Sequence, residues 1–171
     1  MSLLERRKAA FKFIRDIPYK IAPNLETQDY CCSTKAEFLA DLMNNLGLKT
    51  RFMICRFEWD ATPIPPSIIA LDADKDTTHM FTEVFIPETQ QWVICDPTWD
   101  AGLRNAGFNI AEWDGLTSTK IAVNPTHIFS SAESEELIKS YSTPEKLVEY
   151  LESNHLFIAA VNSWLCEQRL F

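Results

Sequence analysis

Two cysteines, Cys31 and Cys32, stand side by side directly before an amphipathic segment. A cysteine is a nucleophile as a thiolate, and the N-terminal end of a helix stabilises that anion. Because a helix end lowers the pKa of a thiol only in part, a reactive cysteine also needs a neighbouring base. Cys32 is closer to the first helical turn and is therefore the better candidate nucleophile. The alternative is that both are small buried hydrophobic side chains, a common role of free cysteine.

Three histidines are candidates for that base. His127 follows Asn-Pro-Thr in a predicted loop, and His155 lies between two predicted C-terminal helices. His79 instead opens a predicted strand, where the position of its side chain is set by the pairing of the sheet.

A predicted hairpin relates His79 to an acidic residue. Residues 79–86 and 91–96 have strand-forming composition and are joined by the loop Pro87–Gln90. If the two residues that flank this loop pair with each other, His79 and Asp96 become diagonal neighbours on one face of the sheet. A carboxylate there would fix the tautomer of the histidine and stabilise its imidazolium form, the orienting role in a nucleophile–base–acid triad. A shift of one residue in register would separate the two side chains.

The segment after the cysteines predicts a largely buried helix that begins at Cys32 or Ser33. Gly47 stands where a left-handed residue would end this helix. The apolar residues recur at helical spacing and form one stripe, which consists of Ala36, Leu39, Ala40, Met43 and Leu46.

The other elements complete an α+β order of helix, central helix, antiparallel strands and C-terminal helices. Further helices are predicted at Leu3–Arg15, at 133–141 after a capping box of Ser130 and Glu133, from Thr143-Pro144 onward, and at Leu156–Arg169. Strands are predicted at Thr50–Trp59 and Lys120–Val123, and loops at residues 19–31 and 60–77.

Three blocks of the sequence resemble motifs of the transglutaminase-like superfamily. The stretch from CSTKAEFLADL to LGLKTR, within residues 32–51, resembles its cysteine motif. HMFTEVFIP, residues 79–87, resembles its H-A-W-V-E-V strand, and WVICDPT, residues 92–98, resembles its W-V-x-x-D-P-T strand. The blocks occur in the family's order, and the upstream FKFIRDIPYKI resembles its lead-in.

The resemblance implies a papain/transglutaminase-like core, in which a central helix carrying the cysteine packs on an antiparallel sheet carrying the histidine and the aspartate. The resemblance covers a motif core at about residues 30–98 and implies little about residues 99–171. The length of the chain favours a single domain over residues 1–171, with a C-terminal helical extension predicted at about 130–171. In place of the glycine that the family usually has two residues before the cysteine, this chain has Tyr30.

The resemblance also assigns roles to individual residues. Cys32 takes the position of the nucleophile, His79 that of the base and Asp96 that of the orienting acid. The backbone N–H of Cys32 is a natural oxyanion donor at the helix start, and Gln28 and Tyr30 are candidates for a second donor.

The implied activity is cysteine-dependent acyl transfer on amide bonds through a thioester intermediate, without a cofactor. Water would resolve the thioester in a protease or amidase, and an amine would resolve it in a transglutaminase; a protein or peptide is the expected substrate. Because a fold does not guarantee activity, a catalytically inactive protein-binding module is the alternative.

Composition limits the other classes of function. The net charge of −8 disfavours nucleic acid as a partner, and no apolar run approaches 18 residues, so no membrane span is expected. The charged N-terminal sequence lacks the apolar stretch of a signal peptide. The five cysteines, an odd number, then favour free thiols in a reducing, cytoplasmic compartment. The oligomeric state is left open.

A metal site is disfavoured by the spacing of the possible ligands. Asp72, Asp74, Asp76 and Glu83 match the spacing of a calcium loop, but Thr77 stands where the loop requires glycine. A zinc site would need paired ligands such as C-x-x-C, which the sequence does not contain.

Overall fold

The fold of the chain, seen in a computed structural model that describes residues 2–74 and 77–170, is α+β. The strands within these residues are β1 (Thr50–Phe57), β2 (Thr78–Ile86), β3 (Gln91–Cys95) and β4 (Pro125–Ile128). They form one antiparallel sheet in the order β3-β2-β1-β4. The α-helices are α1 (Leu3–Asp16), α2 (Cys32–Asn45), α3 (Pro66–Ile69), α4 (Ser131–Tyr141), α5 (Pro144–Ser153) and α6 (His155–Gln168), and short 3-10 helices lie at Trp59–Ala61 and Ala101–Ala106.

The central helix α2 begins at Cys32, with Cys31 as its N-cap residue. The predicted apolar stripe is buried as far as Met43, because it faces β2 and helix α1. The helix ends before Gly47, whose φ of +81° lies in the left-handed region that glycine adopts without strain. The prediction of a largely buried helix at this place in the chain is confirmed.

The register of the hairpin is also confirmed. Ile86 pairs with Gln91 across the turn, and Thr82 pairs with Cys95 further along the ladder. This pairing places the residue after β3, Asp96, on the same side of the sheet as His79, as the diagonal relationship requires.

The predicted strand at Lys120–Val123 is wrong. The backbone of this segment bonds to side chains instead of to a neighbouring strand: the N–H of Ala122 donates to the carboxylate of Asp96, and the carbonyl of Ala122 accepts from the indole of Trp99. The fourth strand lies a few residues later, at Pro125–Ile128, and pairs with β1. His127 therefore lies in an exposed strand and not in a loop.

The predicted loop at residues 60–77 contains the short helix α3. Pro66 occupies its first turn, a position at which proline needs no hydrogen-bond partner for its nitrogen. The loop prediction missed this turn because four residues are too few to show helical periodicity.

The C-terminal helices begin as their capping residues predict. Ser130 and Glu133 form a reciprocal capping box at the start of α4, and the hydroxyl of Thr143 caps α5. Helix α6 buries a face that consists of Phe157, Ile158, Val161 and Leu165. This face packs in a cluster with Tyr19, Trp99 and Leu103, so the C-terminal extension shares a hydrophobic core with the segments around the cysteines.

No helix within residues 2–74 and 77–170 is long and apolar enough to cross a membrane.

Candidate active site

The centre of the candidate site is a buried ion pair between His79 and Asp96. Nε2 of His79 lies 2.7 Å from Oδ2 of Asp96. The exposed fractions of the two residues are 2% and 1%. His79 is the second residue of β2, opposite Cys55 on β1, and Asp96 directly follows β3. A charge pair so removed from water needs further hydrogen bonds to offset the loss of hydration.

Asp96 receives those hydrogen bonds from backbone and hydroxyl groups. The N–H and hydroxyl of Thr98 donate to Oδ1, at 3.2 and 2.6 Å, and the N–H of Ala122 donates to Oδ2 at 2.7 Å. Burial raises the pKa of the Asp96 carboxyl, but the charge of His79 and these hydrogen bonds outweigh it and hold the pKa below its usual value. Asp96 is therefore an ionised group with a fixed orientation.

The imidazole of His79 is held in its protonated form. Burial alone lowers the pKa of this histidine, but the Asp96 carboxylate and the Cys32 thiol outweigh burial and raise the pKa to about 10. Since Nε2 is engaged by Asp96, Nδ1 is the ring nitrogen left for the thiol.

Cys32 is the first residue of α2 and is partly exposed. The pKa of Cys32 is lowered well below that of a free cysteine, first by the neighbouring Cys31 thiol; burial opposes this, and His79 adds to the lowering. The Cys31 sulfur itself lies 3.0 Å from the hydroxyl oxygen of Ser33. The contact with Cys32 raises the pKa of Cys31, which therefore stays a thiol. The electrostatics favour a Cys32 thiolate beside a His79 imidazolium.

Asp29 fixes the chain just before the nucleophile. One of its carboxylate oxygens accepts from the N–H of Cys31 at 3.1 Å and from the hydroxyl of Thr34 at 2.7 Å. The other accepts from the N–H of Ala22 at 2.7 Å. The side chain of Cys31, the N-cap residue, makes no capping hydrogen bond. The hydrogen bonds of Asp29 orient the first turn of α2 instead.

Two tyrosines near the thiols were not anticipated from the sequence. Burial raises the pKa of Tyr19 well above its usual value, and the negative charge of Cys32 adds to this. Burial, nearby acids and the same thiolate raise the pKa of Tyr150. The ring of Tyr19 packs on Trp99, with centroids 4.7 Å apart. Tyr19 stands in the lead-in motif, which was a signal for it. Tyr150 comes from α5, for which no local pattern indicated proximity to the cysteines.

The two candidates for a second oxyanion donor lie in the loop before α2. Gln28 is exposed, and its side-chain amide donates to the carbonyl of Asp29 at 3.0 Å. The ring of Tyr30 packs edge-on against Phe38, and its backbone pairs with Lys20. An oxyanion role for either residue stays a prediction.

The remaining cysteines and histidines lie in other settings. Cys55 and Cys95 are fully buried in strands and Cys166 is exposed; all five cysteines are free. His127 packs against the ring of Phe129, and Nδ1 of His155 is hydrogen bonded to the carbonyl of Glu152.

Among the residues that the structure describes, no three His, Cys, Asp or Glu side chains are grouped to hold a metal ion. The candidate calcium ligand Asp76 lies outside the described residues.

Comparisons of this chain with models of protein families, with curated proteins and with solved structures give no match.

Proposed function

We propose that this protein is a cysteine-dependent acyl-transfer enzyme with a papain/transglutaminase-like core. Cys32 is its nucleophile, His79 its acid and base, and Asp96 the acid that orients the histidine. The observation that carries the proposal is the buried pair in which the Asp96 carboxylate holds the His79 imidazole at 2.7 Å, beside a thiol at a helix start whose pKa the charge of that imidazole helps to lower. Each member has a physical reason for its place in such a mechanism.

The first half of the reaction forms a thioester. The Cys32 thiolate attacks the carbonyl carbon of an amide, and the carbonyl oxygen becomes an oxyanion that the backbone N–H of Cys32 is placed to stabilise. The His79 imidazolium gives its proton to the nitrogen of the amide as the carbon–nitrogen bond breaks. The amine leaves, the acyl group stays on sulfur, and His79 is left neutral beside ionised Asp96.

The second half returns the enzyme to its starting state. Neutral His79 takes a proton from water or from an amine, which attacks the thioester carbon. The carbon–sulfur bond breaks, and the product is a carboxylic acid or a new amide. The Cys32 thiolate and the His79 imidazolium are regenerated. The same three residues serve hydrolysis and transamidation, so the choice depends on which acceptor reaches the thioester.

A protein or peptide amide is the proposed substrate, and neither a cofactor nor a metal ion takes part. The motif resemblance supports this substrate class, since its members act on amide bonds. The net charge of −8 supports exclusion of nucleic acid as the substrate.

An active ester tests the proposal without knowledge of the natural substrate. We expect p-nitrophenyl acetate to acetylate the native protein once, on Cys32, with a burst of p-nitrophenol followed by slow turnover. Adding methylamine to the acylated protein tests the second half: faster loss of the acetyl group with formation of N-methylacetamide indicates transamidation, and an unchanged rate indicates hydrolysis.

Matched variants define the alternative outcome. Cys32→Ser should abolish the burst, His79→Gln should slow it strongly, and Cys31→Ser should retain it. A burst that persists in folded Cys32→Ser protein, or no acetylation of wild-type Cys32, would contradict the enzyme and favour an inactive protein-binding module.

A further inference from the structure

Lys35 is a lysine fully enclosed by protein, with an exposed fraction of 0%. It lies three residues after Cys32, so both are on the same side of helix α2, one turn apart. A buried lysine is costly unless its ammonium group is hydrogen bonded. The ammonium group is therefore expected to have hydrogen-bond acceptors inside the protein.

The ammonium group of Lys35 bonds to three backbone carbonyls. Nζ donates to the carbonyl of Arg15 at 3.0 Å and to that of Ile17 at 2.8 Å, both at the C-terminal end of α1. It donates to the carbonyl of Thr98 at 2.9 Å, in the segment that follows β3. A lysine satisfies the unpaired carbonyls at a helix end and interacts favourably with the helix dipole there.

The three carbonyls indicate the charge of Lys35. A neutral amine has two N–H groups and would leave one carbonyl without a donor, whereas an ammonium serves all three. Burial lowers the pKa of Lys35 to about 7, although the negative charges of Asp100 and Asp96 act to raise it. Arg169 adds to the lowering, and Asp16 opposes it.

The bond from Lys35 to Thr98 connects directly to the proposed triad. Thr98 is the residue whose N–H and hydroxyl hold Oδ1 of Asp96, and Asp96 in turn holds His79. Lys35 thus joins the helix that carries the nucleophile to the segment that orients the histidine.

We propose that Lys35 is a positioning residue, which fixes the start of α2 against the segment 96–98 so that Cys32 stays opposite His79. The proposal rests on the proposed function, because it concerns the same thiolate–imidazolium pair. Lys35 touches neither the reacting sulfur nor the substrate and acts through Thr98 and Asp96.

The test is the pH dependence of Cys32 alkylation in the full-length Lys35→Met variant. Methionine has similar length and retains the apolar contacts but donates no hydrogen bond. Iodoacetamide labelling is followed by peptide mass mapping, with Cys166 in the same sample as a reference thiol. We expect the pH of half-maximal Cys32 labelling to rise by about one unit or more, because the imidazolium no longer meets the thiolate at its optimal geometry.

Controls separate positioning from stability. Leu39→Ala removes core volume one turn further along α2 and should lower stability without moving this pH midpoint. Lys35→Gln keeps two N–H donors, so its midpoint should lie between those of wild type and Lys35→Met. If the methionine variant does not fold, the glutamine variant tests the same prediction.

An unchanged midpoint in folded Lys35→Met or Lys35→Gln protein would overturn the proposal while leaving the triad intact. Failure of both variants to fold would also overturn it, because Lys35 would then be required by the fold itself. A wild-type midpoint as high as that of Cys166 would instead contradict the proposed function.

Discussion

The carboxylate of Asp96 lies 2.7 Å from Nε2 of His79, which leaves Nδ1 as the ring nitrogen available to Cys32. The tautomer and the orientation of the imidazole are thus set from the side away from the thiol. This is the arrangement required of a histidine that must stay protonated beside a thiolate and then pass its proton to a leaving amine.

Cys32 is expected to be the most reactive of the five thiols. Its pKa is lowered, whereas burial and neighbouring charges raise the pKa of Cys55 and Cys95, and the contact with Cys32 raises that of Cys31. Substoichiometric iodoacetamide at neutral pH, followed by peptide mass mapping, should label Cys32 first. Earlier labelling of the exposed Cys166 would show that exposure and not thiolate formation controls reactivity.

Replacing Asp96 with asparagine should reduce both the reactivity of Cys32 and the stability of the fold. The amide group of Asp96→Asn necessarily places a donor against the donors of Ala122 or of Thr98, which costs about 1–3 kcal/mol. The substitution also removes the charge that keeps His79 protonated, so the pKa of Cys32 should rise by about one unit or more. The rate of Cys32 alkylation near neutral pH should then fall at least about tenfold, because less thiolate is present.

The matched control is Thr98→Val, which removes one hydrogen bond to Oδ1 and keeps the carboxylate. Its melting temperature should fall, while its alkylation rate should stay close to that of wild type. If folded Asp96→Asn protein alkylates as fast as wild type, Asp96 serves only to end its strand.

The hairpin register was predictable because it depends on local information. The loop Pro87–Gln90 and the alternating side chains fix the pairing, and the pairing alone brings His79 and Asp96 together. The helix at Cys32 was predictable for a similar reason, since apolar periodicity and Gly47 define its extent.

Other features depend on contacts between distant residues. The segment Lys120–Val123 has strand-forming residues, but its backbone bonds to Asp96 and Trp99, more than 20 positions earlier. Lys35 lies four residues before Leu39, on the edge of the buried stripe, where a lysine is unusual and its partners come from distant segments.

The ion pair of His79 and Asp96 should make the stability of the Cys32→Ser variant, which has no thiolate, depend on pH. The pKa of His79 in the folded protein remains above its usual value of 6.5, because Asp96 is the principal group that raises it. Below pH 6.5 both folded and unfolded chains bind this proton, and the stabilisation is complete. As pH rises further, the unfolded chain loses the proton first, so the free energy of unfolding should fall, by at most about 1.4 kcal/mol per pH unit.

Urea denaturation of Cys32→Ser between pH 6 and pH 9, compared with the Cys32→Ser/His79→Gln double variant, isolates the contribution of His79. The difference between the two free energies of unfolding should shrink as pH rises. A difference that grows or stays constant would mean that His79 is not held protonated in the folded protein.

Arg169 is expected to hold the C-terminal helix on the core. Its guanidinium donates to Oδ2 of Asp100 at 2.7 Å and to the carbonyl of Tyr19 at 2.9 Å. Arg169→Met would leave the Asp100 carboxylate buried without its cationic partner, and the free energy of unfolding should fall by about 3 kcal/mol. Glu167→Gln, an exposed change in the same helix, should leave chemical denaturation unchanged; equal effects of the two substitutions would contradict an anchoring role.

The central claim is that the His79 imidazolium helps to hold Cys32 as a thiolate, and the pH dependence of the thiolate signal tests it most directly. The ultraviolet absorbance of wild-type protein minus that of Cys32→Ser should show a thiolate that titrates well below pH 9, the usual value for a cysteine. In His79→Gln protein the same difference signal should move up toward that value. A wild-type signal that appears only near pH 9, or one that His79→Gln does not move, would contradict the account.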